Sequence, residues 1–196
     1  PVYDKNGKEK YGGSSAFWMT QLRKALNSEG DLFCSYEGII SGAVAAVDRE
    51  NSTHLNADGC GRKEITDRIC ALSRDELKMC LMDPEYEDMK LIRIISARTK
   101  AEKGRVNISF ASKFCHYACF YVFEKTEFQD NYSIYDTILR TVLPKYIEFY
   151  DIKGDYKLDD YGQYRRVVDL IRESCGVEIS RNGFDHLLWY YHRGRM

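Results

Sequence analysis

Apolar residues recur at helical spacing along most of the chain. From Ser14 or Ser15, either of which suits a helix cap, to about Asn27, the residues Phe17, Met19, Leu22, Ala25 and Leu26 approximate one face. Residues 31 to 50 are apolar and small. They suit a buried helix from about Tyr36, or a packed irregular segment if Gly38 and Gly42 weaken it. The run from Asn51 to Arg62 collects Asn, Ser, Asp and Gly and predicts a loop, a candidate boundary between two lobes. Helical patterns return at about 63 to 71, at 73 to 82, where Ser73 and Glu76 form a capping box, and at 84 to 98, with Pro84 in a first turn. Ser109 is the expected cap of a strongly apolar helix over 110 to 123, with Phe110, Phe114, Ala118 and Val122 on one stripe.

A loop from Glu124 to Ser133 leads to Asp136 and another helix, in which Pro144 should cause a break or kink. Helices over about 160 to 174 and 181 to 192 close the pattern. Only 105 to 109 and 177 to 179 hint at extended structure, and neither alternates long enough for a sheet. The expected class is all-α: a polar, Gly-rich arm over 1 to 13, then a single helical domain over 14 to 196.

Composition narrows the classes. With 196 residues, 44% hydrophobic, 30% charged and 3 Pro, the chain is neither disordered nor collagen-like, and it can bury a sizeable core. Lys plus Arg at 29 against Asp plus Glu at 30 excludes the strongly basic balance that announces nucleic acid, so any basic surface must be local. No apolar run reaches membrane-spanning length, and the first residues lack the apolar stretch of a signal peptide, so a cytoplasmic location is expected. The odd number of cysteines, 7, several of them inside helical patterns, suits reduced thiols.

Two residues carry the candidate chemistry. Lys113 is expected in the first turn of an otherwise apolar helix, where burial and the helix dipole both disfavour the ammonium and favour a nucleophilic amine. The alternative is a lysine that snorkels to solvent. Asp136 opens the next helix, 23 residues later, and an antiparallel return would bring it near Lys113; alone it reads as a helix cap. The charges from Lys90 to Lys113 are seven positive (Lys90, Arg93, Arg98, Lys100, Lys103, Arg105 and Lys113) against Glu102 alone, a patch suited either to phosphates or to plain solvation. Cys115-His116 and Cys119 resemble half a metal site, but the two cysteines lie four apart on an apolar stripe without a second pair at zinc spacing, which points to core packing and to no metal site. Trp189, Tyr190 and Tyr191 suit a stacking platform for bases, but pinning of the last helix to the core is the favoured reading.

Together, Ile108-Ser-Phe-Ala-Ser-Lys-Phe-Cys-His-Tyr117 and Tyr132-Ser-Ile-Tyr-Asp136-Thr-Ile-Leu-Arg140 resemble the catalytic half of the helix-hairpin-helix DNA glycosylase superfamily, in its 8-oxoguanine glycosylase-like branch. Phe184-Asp-His-Leu-Leu-Trp-Tyr190 resembles the closing helix of small bacterial members. The resemblance covers residues 105 to 195. It implies a glycosylase-like helical fold, with DNA carrying a damaged or modified base as partner and a flipped base as substrate. It also implies attack on the sugar carbon by the Lys113 amine, a Schiff base that allows β-elimination, and Asp136 as electrostatic partner. Arg98, Lys100, Lys103 and Arg105 would hold phosphates, and no cofactor is required. The competing reading is a non-catalytic helical module that keeps the fold and binds a protein or nucleic acid, as in a bacterial stress or phage-defence system. It is favoured by the absence of glycine from Val106 to Ser112.

Overall fold

In the computed structural model the Ser14 hydroxyl accepts the Phe17 backbone N–H, and helix α1 (Ser15–Asn27) begins there. The structure describes residues 2–3, 9–10, 13–51, 53–55, 61–98 and 106–193. Ser35 caps α2 (Tyr36–Glu50) in the same way, and Gly42 explains why this helix tolerates glycine. A Cβ there would lie 2.3 Å from the ring of Trp18, so α1 and α2 approach as closely as they do only because position 42 has no side chain. Next come α3 (Arg62–Cys70), α4 (Arg74–Met82), with the expected Ser73 cap on the Glu76 N–H, and α5 (Lys90–Ser96). The central helix is α6 (Ile108–Val122), followed by a 3₁₀ turn (Glu127–Asp130), α7 (Thr137–Phe149), α8 (Tyr161–Ser174) and α9 (Arg181–His192). Among the described residues the only extended pairing is the two-residue ladder of β1 (Val2–Tyr3) with β2 (Glu9–Lys10). The fold is all-α.

Three boundaries depart from the sequence pattern. The helix expected from Pro84 starts only at Lys90. The Asp83 side chain accepts the Glu85 N–H, short turns follow, and Glu87, Asp88 and Met89 adopt positive φ, which ends any helix there. Asn107 rather than Ser109 caps α6, accepting the Phe110 N–H at 3.0 Å, so the helix begins earlier and Lys113 stands in its second turn rather than its first. Pro144 neither ends nor divides α7, which runs through it as one helix. The proline is on the exposed side, while its neighbours Val142 and Leu143 are fully packed and hold the segment.

Helix α6 is the axis of the core. Phe110, Ala111, Phe114, Cys115, Ala118 and Cys119 are completely buried, and α1, α2, α4 and α5 pack around them. The loop from residue 51 joins helices that pack directly on each other, α2 and α3. Asp48, 3% exposed, ties the two by accepting from Thr53, the Leu55 N–H and Arg62. The last three helices form a second group in mutual contact. No described helix is long and apolar enough to cross a membrane, and the six described cysteines are free thiols, Cys60 lying outside the described residues.

Candidate active site

The peptide from Tyr132 to Tyr135 is neither helix nor ladder strand, so its backbone groups need partners from elsewhere. Buried side chains provide them. The Tyr132 carbonyl accepts from His116 Nδ1 at 2.9 Å, and the Tyr135 N–H donates to Ser112 Oγ at 2.9 Å, both partners standing on α6. The Ser133 and Ile134 carbonyls accept from the phenols of Tyr161 and Tyr164 on α8, at 2.8 and 2.7 Å. The Ile134 N–H donates to Asp185 Oδ2 on α9 at 2.7 Å. His116 must carry its proton on Nδ1, since a carbonyl only accepts, and burial lowers its pKa and keeps the ring neutral. Five side chains on three helices thus fix an extended peptide along α6, and Asp136 comes next in the chain.

Asp136 caps α7, its Oδ1 accepting the Ile138 N–H at 2.7 Å, which leaves the other oxygen free for a second task. Lys113 and Asp136 line one cavity of about 560 Å³, a size suited to a small ligand. Lys113 is 9% exposed and makes no hydrogen bond or ion pair with any described residue. Burial pushes its ammonium below the usual lysine pKa, and the nearby Asp136 charge offsets part of that effect. The amine therefore faces the cavity with a raised neutral fraction, beside a carboxylate that does not lock it in an ion pair.

A second carboxyl enters the cavity from α9. Asp185 is 2% exposed, uses Oδ2 for the Ile134 N–H and has no partner at Oδ1. Burial, the largest influence on it, pushes its pKa well above the usual carboxylate range, toward a protonated group that can donate into the site. Sequence reasoning missed it as a site residue. The signal was present, since Asp185 shares the apolar face of Phe184 and Leu188, where a solvated aspartate has no place.

The rim is aromatic. Trp189 lines the cavity, with Tyr190 edge-on to it at 5.0 Å and the Arg193 guanidinium 4.4 Å above its ring. The expectation that Trp189, Tyr190 and Tyr191 pin this helix to the core fails for the two tyrosines, which are 67% and 54% exposed; Trp189 is half-buried, and Phe184 and Leu188 do the pinning. The basic run is also thinner than its sequence suggests. Lys90 is spent on Glu76 and Glu87, and Arg93 donates to the Glu87 carbonyl. Arg98 is exposed and held through its carbonyl by Arg68, while Lys100, Lys103 and Arg105 lie outside the described residues. Cys115 and Cys119 are packed in the core, and no described group of three metal-ligating side chains exists.

The chain matches no protein-family model, no curated protein and no solved structure. What the site can do must therefore come from its own chemistry: an amine nucleophile, an adjacent carboxylate to face developing positive charge, a buried acid, and an aromatic wall that accepts a flat ring.

Proposed function

We propose that this protein is a DNA glycosylase with lyase activity, acting on a damaged or modified base. The observation that carries the reading is the buried, unpaired Lys113 amine sharing a cavity with Asp136. The amine lone pair forms the N–C1′ bond as the glycosidic bond breaks, and the departing base takes the bonding electrons and a proton. The second lysine proton then passes to O4′ as the C1′–O4′ bond breaks and the sugar ring opens, which gives the Schiff base. Removal of a C2′ proton then expels the 3′ phosphate oxygen by β-elimination. Asp136 stabilises the positive charge that grows on the sugar, and the aromatic wall of Trp189 suits a flipped base. The resemblance of the segments around Lys113 and Asp136 to the glycosylase superfamily supports DNA as the substrate.

A second reading is supported by the helical state of residues 108–112, the glycine-free stretch that directly precedes Lys113. It is a non-catalytic module that binds nucleic acid or protein through the same surface. Borohydride trapping separates the two. Duplexes and single strands carrying an abasic site, 8-oxoguanine, uracil or an alkylated base should give a covalent adduct that disappears in Lys113→Gln and weakens at least about 100-fold in Asp136→Asn. Trapping that persists in Lys113→Gln, or none on any strand, would sink the enzymatic reading.

A further inference from the structure

Strand cleavage needs a base that Schiff-base formation does not, since a proton must leave C2′ before the phosphate can go. Among the described residues that line the cavity, and besides Lys113 itself, four carry a carboxylate or an imidazole: Glu50, Asp136, Asp185 and His186. Three of them are committed elsewhere. Glu50 accepts the Ser15 N–H on one oxygen and the Ser15 hydroxyl on the other, with the Arg49 guanidinium beside it. Asp136 caps α7 with one oxygen and keeps the other for the charge on the sugar. Asp185 gives one oxygen to the Ile134 N–H, and burial pushes the group toward its protonated form, which donates a proton rather than takes one.

His186 is the remaining group, and its surroundings leave one nitrogen ready. Its Nδ1 lies 2.8 Å from the Asn182 carbonyl, one turn back on α9. A carbonyl only accepts, so Nδ1 carries the proton of the neutral ring and Nε2 carries the lone pair. Because Nδ1 is turned toward the backbone of its own helix, Nε2, across the ring, points away from that helix, and it has no partner among the described residues. The Tyr190 ring packs beside the imidazole, 6.4 Å between centres and tilted by 31°, which steadies its orientation. The side chain is exposed at the cavity mouth, so a proton taken up at Nε2 has a direct path to water.

We infer that His186 Nε2 is the base that removes the C2′ proton in the β-elimination. The electron pair of the C2′–H bond becomes the C2′=C3′ double bond, the C3′–O bond breaks, the phosphate leaves with that pair of electrons, and the imidazolium then passes its proton to water. The assignment rests on the proposed lyase reading and divides the cavity by step: α6 and α7 supply the groups that make the Schiff base, and α9 supplies the one that breaks the strand.

The test uses the full chain on a strand carrying an abasic site, which forms the Schiff base without excision of a base. His186→Ala should slow strand cleavage by about 100-fold while the adduct trapped by borohydride accumulates, because the intermediate forms and waits. Free imidazole should restore cleavage in His186→Ala in proportion to its concentration and leave the parent protein unaffected. His186→Gln, which keeps a polar side chain but no base, should be as slow as His186→Ala. Cleavage at the parental rate in either variant overturns the assignment. A loss of adduct in step with the loss of cleavage also overturns it, since His186 would then act in forming the Schiff base, and so does a loss that imidazole leaves unrepaired, which would make His186 a packing residue. Absence of adduct from the parent protein is a separate result: it removes the lyase reading itself, and the assignment with it.

Discussion

At the scale of single residues, the site is held at a cost. An ammonium buried without a partner disfavours the folded state, and Lys113 has neither hydrogen bond nor ion pair among the described residues. Lys113→Met keeps the volume and removes the charge, and should raise stability by about 0.5–2 kcal/mol at neutral pH, the usual scale for relieving a functional strain. The sign with pH follows from the lowered pKa. Between the folded and unfolded pKa the unfolded lysine holds the proton that the folded one has lost, so native stability rises with pH there and the penalty fades as pH approaches the ordinary lysine value. Denaturant titrations of both proteins from neutral to alkaline pH should show the gap closing. A gap that stays constant would mean that Lys113 is solvated. Asp136→Asn is the complementary probe: asparagine caps a helix as well as aspartate does, so activity and stability separate there in a way that Asp136→Ala does not permit.

At the scale of elements, what the sequence makes legible depends on how local the cause is. The helices α1, α2, α4, α8 and α9 were readable because a cap and an apolar stripe lie within one stretch, as with Ser73 and Glu76. Lys113 stood out as a cation in an apolar helix, whereas Asp136 alone read as a cap and became a candidate only through the resemblance of the two segments taken together. The turn that delays α5 is set by Asp83 and by positive φ at Glu87, Asp88 and Met89, which helical periodicity does not register. The extended run before Asp136 was readable, but what holds it was not, because its partners Ser112, Tyr161 and Asp185 stand 23, 28 and 51 residues from the groups they bind. Asp185 was therefore unread as a site residue, although it both builds that peptide and enters the cavity. Gly42, which as a glycine only weakened the helical pattern, turns out to be where α1 and α2 touch. Gly42→Ala should destabilise the protein by about 1–3 kcal/mol, the cost of overpacking, because the Trp18 ring cannot retreat from a side chain 1% exposed. Chemical denaturation measures this directly, and an unchanged midpoint would mean that the two helices slide apart freely.

Across the whole molecule, the cavity lies where the helices around α6 meet the closing group α7 to α9, and its walls come from both. Two buried aspartates serve this architecture with opposite pH behaviour. Burial pushes Asp48 upward, but the bonds from Thr53, Leu55 and Arg62 outweigh it and hold the carboxyl below its ordinary value. Its folded pKa being depressed, Asp48 contributes stability above the unfolded value near 3.8 and loses it as pH falls through the folded one. Asp185 is raised, chiefly by burial, so its protonated form suits the fold: its contribution is full below the unfolded value and is lost as pH rises through the folded one. The acid limb of the stability profile thus belongs in part to the α2 to α3 tie, and a decline toward neutrality belongs to the wall of the site. Asp185→Asn retains an oxygen for the Ile134 N–H and cannot ionise, so it should match the parent protein below about pH 4 and become progressively more stable as pH rises, levelling off past the folded pKa of Asp185. Asp48→Asn should lose stability at neutral pH and converge on the parent only in strong acid. Denaturant midpoints taken across the range for all three proteins test the pair together. A difference between Asp185→Asn and the parent that does not grow with pH would place the Asp185 carboxylate in contact with water, and with it the claim that the cavity wall holds a protonated acid would fall.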